Sequence, residues 1–284
     1  MAVKNVKITV LIEDTKNPAK SKLRAKHGLS FFITAKIDDN EVNIMMDTGP
    51  SSDYLLHNAD KMGINLQKTD IITLSHGHYD HTGGLMGTLN KTKKGVLVVG
   101  HPEIFDPKLS LMPHLRFIGT PCKPSDIESA GGVPLMVTGP AKLANGIITT
   151  GEIQRTTAFE NVNGFLAAHK QKLIDDLMPD DQALIINLEN KGLVIVSGCA
   201  HSGIINTIKH AQKITKTKNV YAVLGGFHLS ADDERIRATV DELKKLDLKF
   251  VGPCHCTGKK ATEKIAEAFA DRCRPLQTGD VIEF

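Results

Sequence analysis

Apolar and polar residues alternate along Val6–Ile12 and again along Leu29–Ile37, the period of a strand with one buried face. Glu41–Met46 reads as a third strand and runs into Asp47-Thr48-Gly49-Pro50, a turn signal. Ser51 and Ser52 stand where a helix reaching to about Met62 needs a cap. Short β-branched runs predict strands at Ile71–Leu74 and Val96–Val99. Further strands are expected at Ala183–Leu188, Leu193–Val196, Val220–Leu224 and Lys249–Val251. Helical periodicity covers Ile204–Ile214, Asp232–Leu246 and Lys260–Ala270. Strands therefore cluster early, and strand–helix alternation takes over in the second half. That is the pattern of a layered α/β chain with sheets inside and helices outside. Between the halves, residues 100–180 are rich in Pro and Gly with weak periodicity. They predict loops and short elements laid over the core, a wall or lid for a site. The whole of 1–284 reads as one domain carrying that insertion.

Composition narrows the class. A chain of 284 residues can bury a core without staples, and 41% hydrophobic with 24% charged residues excludes a disordered or fibrous polymer. The net charge of +3 is too small to imply a nucleic-acid partner, and basic and aromatic residues are not interleaved as a nucleic-acid platform requires. The apolar run Ile8–Ile12, bounded by Lys7 and Glu13, is shorter than the roughly 7–15 residues of a secretory signal. No stretch approaches the roughly 20 apolar residues of a membrane span. Five cysteines at scattered positions (122, 199, 254, 256 and 273) do not read as a disulfide framework, so a cytoplasmic protein with reduced thiols is expected. Histidine is the anomaly, 12 residues where about 2% usage would supply half as many.

The sharpest signal is Ser75-His76-Gly77-His78-Tyr79-Asp80-His81-Thr82-Gly83-Gly84, after the strand at 71–74. Three imidazoles and a carboxylate lie within six residues, and buried together without an ion they would lack partners. At the end of a strand they can converge on a cation. Neutral imidazole with carboxylate suits zinc first, and iron or manganese as well. There is no G-x-S-x-G elbow, Walker P-loop or dinucleotide fingerprint to suggest other chemistry.

The H-x-H-x-D-H string with an earlier Asp-Thr-Gly resembles the metallo-β-lactamase fold superfamily. His201 in Ser197-Gly198-Cys199-Ala200-His201-Ser202-Gly203 and His255 in Gly252-Pro253-Cys254-His255-Cys256-Thr257-Gly258 resemble its later histidine motifs. The strings HGLSFFI, SHGHYDHTGGL, SGCAHSGI, GGFHL and GPCHCTG are similar to one branch, that of the archaeal dihydropterin-type synthase of methanopterin assembly and its uncharacterised relatives. The resemblance implies a four-layer αββα sandwich with one or two divalent metals per chain. One metal would take His76, His78 and His201, and the other Asp80, His81 and His255. The superfamily usually bridges its two ions with an aspartate late in the chain. Here the strand at 220–224 leads into Gly225-Gly226-Phe227-His228, which has no carboxylate, and Asp232 and Asp233 look like helix N-terminal residues.

Other candidates stay open at this level. Asp47 is either a residue that orients ligand loops or a turn aspartate. His228 is a ligand, a substrate contact or a structural histidine. Cys199 is either a further donor or a small buried cysteine. His27, in the basic loop Lys16–His27, and Arg155 either recognise an anionic substrate or form solvated loop and surface ion pairs. His57, His101, His114, His169 and His210 have no partner at ligand spacing.

The resemblance implies a metal-dependent hydrolase. Its metal-bound hydroxide, formed as the pKa of water falls toward about 7, attacks a small anionic ester, lactone or phosphoester. Asp80 would orient or deprotonate that water, and His228 would stabilise developing charge or donate to the leaving group. A transferase of the dihydropterin type, releasing diphosphate, is the alternative. An iron-containing redox or metal-binding protein is a third, disfavoured because iron-type relatives commonly carry an acid where His78 stands. A small anionic molecule is the expected partner, with no role for nucleic acid or membrane. The oligomeric state is left open.

Overall fold

The alternating runs become strands, and the strands become the two inner layers of a stack. The computed structural model describes residues 2–169, 171–229 and 232–284. The first half supplies β1 (Asn5–Ile12), β2 (Ser30–Ile37), β3 (Asn40–Met46), β4 (Ile71–Thr73) and β5 (Leu97–Gly100). The middle supplies β6 (Lys108–Ser110), β7 (Arg116–Phe117), β8 (Val133–Met136), β9 (Lys142–Ala144), β10 (Ile147–Thr149), β11 (Phe165–His169) and β12 (Lys172–Asp175). The second half adds β13 (Ala183–Leu188), β14 (Gly192–Ser197), β15 (Val220–Gly226), β16 (Phe250–Cys254) and β17 (Val281–Glu283). The helices are α1 (Ser52–Lys61), α2 (Tyr79–Thr82), α3 (Leu85–Leu89), α4 (Pro124–Ser129), α5 (Ile204–Thr215), α6 (Asp233–Lys244) and α7 (Lys259–Phe269).

One sheet has the order β17-β1-β2-β3-β4-β5-β8 and the other β16-β15-β14-β13-β10-β9. Between them lies a core of Val6, Ile8, Phe31 and Ile44 from the first sheet with Leu184, Ile186, Val194 and Leu224 from the second. A second core lies under α5, α6 and α7, built from residues such as Ile195, Val223, Ile204, Ile208, Val240 and Ile265. A third, with Met45, Ile72, Val98, Leu55, Leu85 and Ile127, lies under α1, α3 and α4. Three cores separate four layers, which makes the fold an αββα sandwich. Because both faces of each sheet are covered, the central strands are apolar on both sides. Residues Ile8, Val10, Leu11 and Ile12 of β1 are all fully buried. No helix of the described residues is long and apolar enough to cross a membrane.

The structure departs from the sequence pattern in three places. Residues 100–180, read as loops over the core, divide in two. Strand β8 extends the first sheet beside β5, and β9 and β10 extend the second beside β13. Only β12-β11-β6-β7 form a separate small sheet. Elements of two to six residues carry too little periodicity to be seen in a window of eleven or more. The strand expected at 249–251 continues to Cys254, through Pro253. Strand β16 is an edge strand, and an edge tolerates the missing N–H. Finally, Ser51 occupies the N-cap position of α1 but makes no side-chain cap bond, whereas Asp232 caps α6 by accepting from Glu234 N and Arg235 N.

Candidate metal centre

The chemistry collects at one edge of the sandwich because β1, β3, β4, β14, β15 and β16 all run toward it and their following loops emerge there. From the loop after β4 come His76, His78, Asp80 and His81; from that after β14, Cys199 and His201. The loop after β15 brings His228 and that after β16 brings His255. Ligand atoms of His76, His78 and His201 lie within 4.8 Å of one another, and so do those of Asp80, His81 and His255. The rings pack closely, with centroids 4.2 Å apart for His76 and His81 and 4.9 Å for His76 and His201. Asp47, Ala200, His228 and His255 all have positive φ (59°, 52°, 41° and 49°). Such backbone costs of order 1–3 kcal/mol each for a non-glycine residue and is a mark of functional edges. Gly198 is required here by space: a Cβ on it would stand 2.1 Å from Ser75 Oγ.

Carboxylates behind the histidines decide which nitrogen faces inward. Asp47 accepts from Ser75 N, Ser75 Oγ and His81 Nδ1, each at 2.7 Å. Asp14 accepts from His255 Nδ1 at 2.7 Å, and Glu13 accepts from His255 N at 2.8 Å. With both Nδ1 protons so committed, His81 and His255 point their Nε2 atoms at each other, 3.2 Å apart. The Cys199 sulfur lies 3.2 Å from the same His81 Nε2. Replacing Asp47 with alanine is therefore expected to weaken metal retention about 10–100-fold by freeing the His81 ring. Competition with a chromophoric chelator measures this, and unchanged affinity would show that Asp47 does not orient the ring.

The electrostatics favour a cation. Burial and the crowd of imidazoles hold His76 and His201 well below the usual histidine range, and burial takes His78 down to about 3. These rings are neutral, with lone pairs to offer. The His78 Nε2 and both His201 nitrogens are buried with no hydrogen-bond partner. On the other side, burial opposes charge, yet Asp14 and Asp80 hold His255 well above its ordinary value, and Asp80 is held ionised by His255 and His81. Orphaned nitrogens beside a carboxylate in a space that attracts positive charge are what a divalent cation needs.

A model of the metallo-beta-lactamase superfamily matches residues 24–166, just over half of the chain and including the whole H-x-H-x-D-H loop. The chain belongs to the metallo-beta-lactamase superfamily. It is 38% identical, over 99% of its length and 98% of the relative's, to 7,8-dihydropterin-6-methyl-4-(beta-D-ribofuranosyl)-aminobenzene-5'-phosphate synthase of Methanocaldococcus jannaschii. A second protein of that archaeon, uncharacterised, is 32% identical over 92% of this chain and 94% of its own. Among solved structures, a metal-dependent hydrolase of the beta-lactamase superfamily superposes with a TM-score of 0.81 at 27% identity, covering 98% of this chain and 99% of the other. The superfamily binds divalent metals, and the residues described above fit one.

Among the described residues of this metallo-beta-lactamase-superfamily chain, no carboxylate stands directly after β15, and Asp232 lines only the cavity beyond His201 and His228. His228 follows the strand instead, its ring 4.3 Å from that of His201, and burial lowers its pKa to about 4. A cavity of about 130 Å³ opens onto the cluster, lined by His27, Asp80, Arg116, Phe165, His201 and His228 among others. Beyond His201, His228 and Phe165 lies a second cavity of about 190 Å³ that reaches Arg235. The small sheet supplies Phe165, Ser110 and Arg116 to the first cavity.

One expected substrate contact needs correction. Arg155 lines neither cavity at the cluster: its guanidinium donates to the carbonyls of Leu177 and Met178 and to Ser202 Oγ. Of the basic loop Lys16–His27, only His27 lines the cavity, bonded to Asp14 at 2.9 Å and 3.3 Å from Asp80. Among the other histidines, His101 is buried and accepts from Glu103 N, His57 meets Lys22 O and His210 meets Thr150 O. The side chain of His169 lies outside the described residues.

Several contributors carry no sequence signal of their own. Lys108 is buried between Asp176 (2.9 Å) and Asp180 (2.8 Å), and Asp180 also accepts from Gly77 N at 2.7 Å, between His76 and His78. Asp181 accepts from Ser202 N beside His201. Glu160 accepts from Ile205 N and Asn206 N, holding the start of α5.

Proposed function

We propose that the chain is a metal-dependent hydrolase of a small anionic ester, lactone or phosphoester. The observation that carries this is the convergence of the two triads around buried imidazole nitrogens that have no other partner. His76, His78 and His201 would hold one cation and Asp80, His81 and His255 the other, with zinc the leading choice and iron or manganese the next. A divalent cation held there supplies Lewis acidity toward an acyl or phosphoryl oxygen and lowers the pKa of water.

The remaining work falls to this chain's own side chains. Asp14 and Asp47 keep the His255 and His81 rings aimed inward. Asp80, on the cavity wall, is placed to orient a nucleophilic water. His228 borders both cavities and is placed to hydrogen-bond a substrate oxygen between them. Phe165 packs edge-on to His201, centroids 5.1 Å apart, and screens the cluster from solvent. Arg116 lines the first cavity, and Arg235, whose Nε is buried without a partner, lines the second. Both favour an anionic substrate. The five free cysteines fit a reducing, cytoplasmic setting.

A transferase is the second reading, and the full-length identity of 38% to the archaeal synthase favours it. In that reading the same residues would stabilise a departing diphosphate while an aryl acceptor occupies the second cavity. The test is elemental analysis of freshly purified protein, followed by a panel of phosphodiesters, lactones and thioesters with chelator controls. Chelator-sensitive turnover by water alone is expected. Diphosphate release only when an aryl acceptor is present would replace hydrolysis with transfer, and turnover that survives complete metal removal would overturn both.

A further inference from the structure

The end of β15 is where a carboxylate could have joined the two triads, and the structure shows why none does. A Cβ on Gly226 would lie 2.6 Å from Cys256 Sγ and 3.3 Å from Cys199 Cα. One on Gly225 would lie 2.1 Å from Ser197 O. No side chain larger than hydrogen fits there, because Cys256 Sγ and the carbonyls of Gly198 and Ser197 already fill the space. The Cys199 side chain is buried (3% exposed) and its sulfur points at the cluster, 3.2 Å from His81 Nε2. Its sulfur lies within 4.8 Å of donor atoms of His76 and His81, and also of His255 and Cys256. It is therefore shared between residues of both triads. Cys256 Sγ also lies within 4.8 Å of Cys199 Sγ and a His255 nitrogen, but its thiol donates to Cys199 O at 3.5 Å, which steadies the loop that presents Cys199.

We infer that Cys199 is a sulfur donor to the cation held by Asp80, His81 and His255, taking the place of the absent carboxylate. The inference rests on the metal-centre reading above. On binding, the sulfur–metal bond forms and the thiol proton passes to solvent. A thiolate shifts the preference of the site toward zinc or cobalt and away from manganese, which takes oxygen ligands. His81 Nε2, His255 Nε2, an Asp80 oxygen and Cys199 Sγ would complete a four-donor set of a kind zinc accepts.

The test uses the full-length protein loaded with cobalt(II). The wild type is expected to show a sulfur-to-cobalt charge-transfer band in the near ultraviolet. Cys199→Ser should lose the band and retain cobalt about tenfold or more less tightly, and Cys256→Ser should keep the band. If cobalt binds to the wild type without the band, or if the band survives in Cys199→Ser, the inference is wrong while the metal centre stands. If the wild type binds no cobalt and no zinc, the metal centre itself is wrong. Should Cys199→Ser fail to fold, X-ray absorption of the zinc-loaded wild type decides: a sulfur in the first coordination sphere supports the assignment, and a nitrogen and oxygen sphere alone overturns it.

Discussion

Replacing His78 with alanine is expected to leave a folded protein that has lost bound metal and turns over at least about a thousandfold more slowly, the rate equivalent of several kcal/mol of transition-state stabilisation. His78 offers the cluster a buried Nε2 without any other partner, and its Nδ1 stands 3.0 Å from His76 Nε2. Removing the ring therefore takes away a donor without breaking a structural hydrogen bond elsewhere. The backbone of the loop stays held by Tyr79 N to Ile118 O at 2.9 Å and by Thr82 N to His78 O at 3.1 Å. Metal content per chain, unfolding temperature and turnover, measured together, check this. A His78→Ala protein that keeps its metal and full activity, or one that stays active after chelation, would remove the triad from the mechanism. His76→Ala is expected to behave alike.

Lys108→Met should instead act on stability. Lys108 is buried (1% exposed) on β6 of the small sheet, and its ammonium is held by two carboxylates against the cost of burial. All four oxygens of Asp176 and Asp180 are used: two by Lys108, one by Met178 N and one by Gly77 N. Taking away the cation leaves two carboxylates buried side by side, which typically costs about 3–5 kcal/mol. For a chain of this size that is a fall in Tm of about 10 °C. The Gly77 N–H would lose the setting of its acceptor as well, so metal retention should weaken along with the fold. Calorimetry and urea unfolding measure the first effect, and chelator competition the second. A change in stability below about 1 kcal/mol would show that Lys108 carries no such weight.

How much of this was readable beforehand depends on the distance along the chain over which each signal acts. Strands β1, β2, β3, β13, β14 and β15 and helices α1, α5, α6 and α7 are visible because each spans enough residues for its own period to show. Strands β9, β10 and β17 have three residues each and owe their existence to their neighbours, β10 to β13, β9 to β10 and β17 to β1. At the site, His76, His78, Asp80 and His81 announced themselves by spacing, and His201 and His255 by their resemblance to known motifs. Asp14, 241 residues from the His255 ring it orients, had no pattern to join. Neither had Asp180, 103 residues from the Gly77 amide it fixes. Arg155, open in the sequence between an anion contact and a surface ion pair, donates instead to the carbonyls of Leu177 and Met178.

The chain's own order of residues determined the chemistry of the centre and where each part is attached: imidazoles and a carboxylate, each just past a strand. Those are local properties, set by side-chain type and by the strand-to-turn transition. Only the tertiary structure decided which loops meet, which ring nitrogen each carboxylate aims inward, and that the Cys256 sulfur occupies the space beside Gly226. Those outcomes depend on sheet order and on close packing between segments distant in the chain, where a tenth of a nanometre separates a ligand from a clash and no local pattern carries the information.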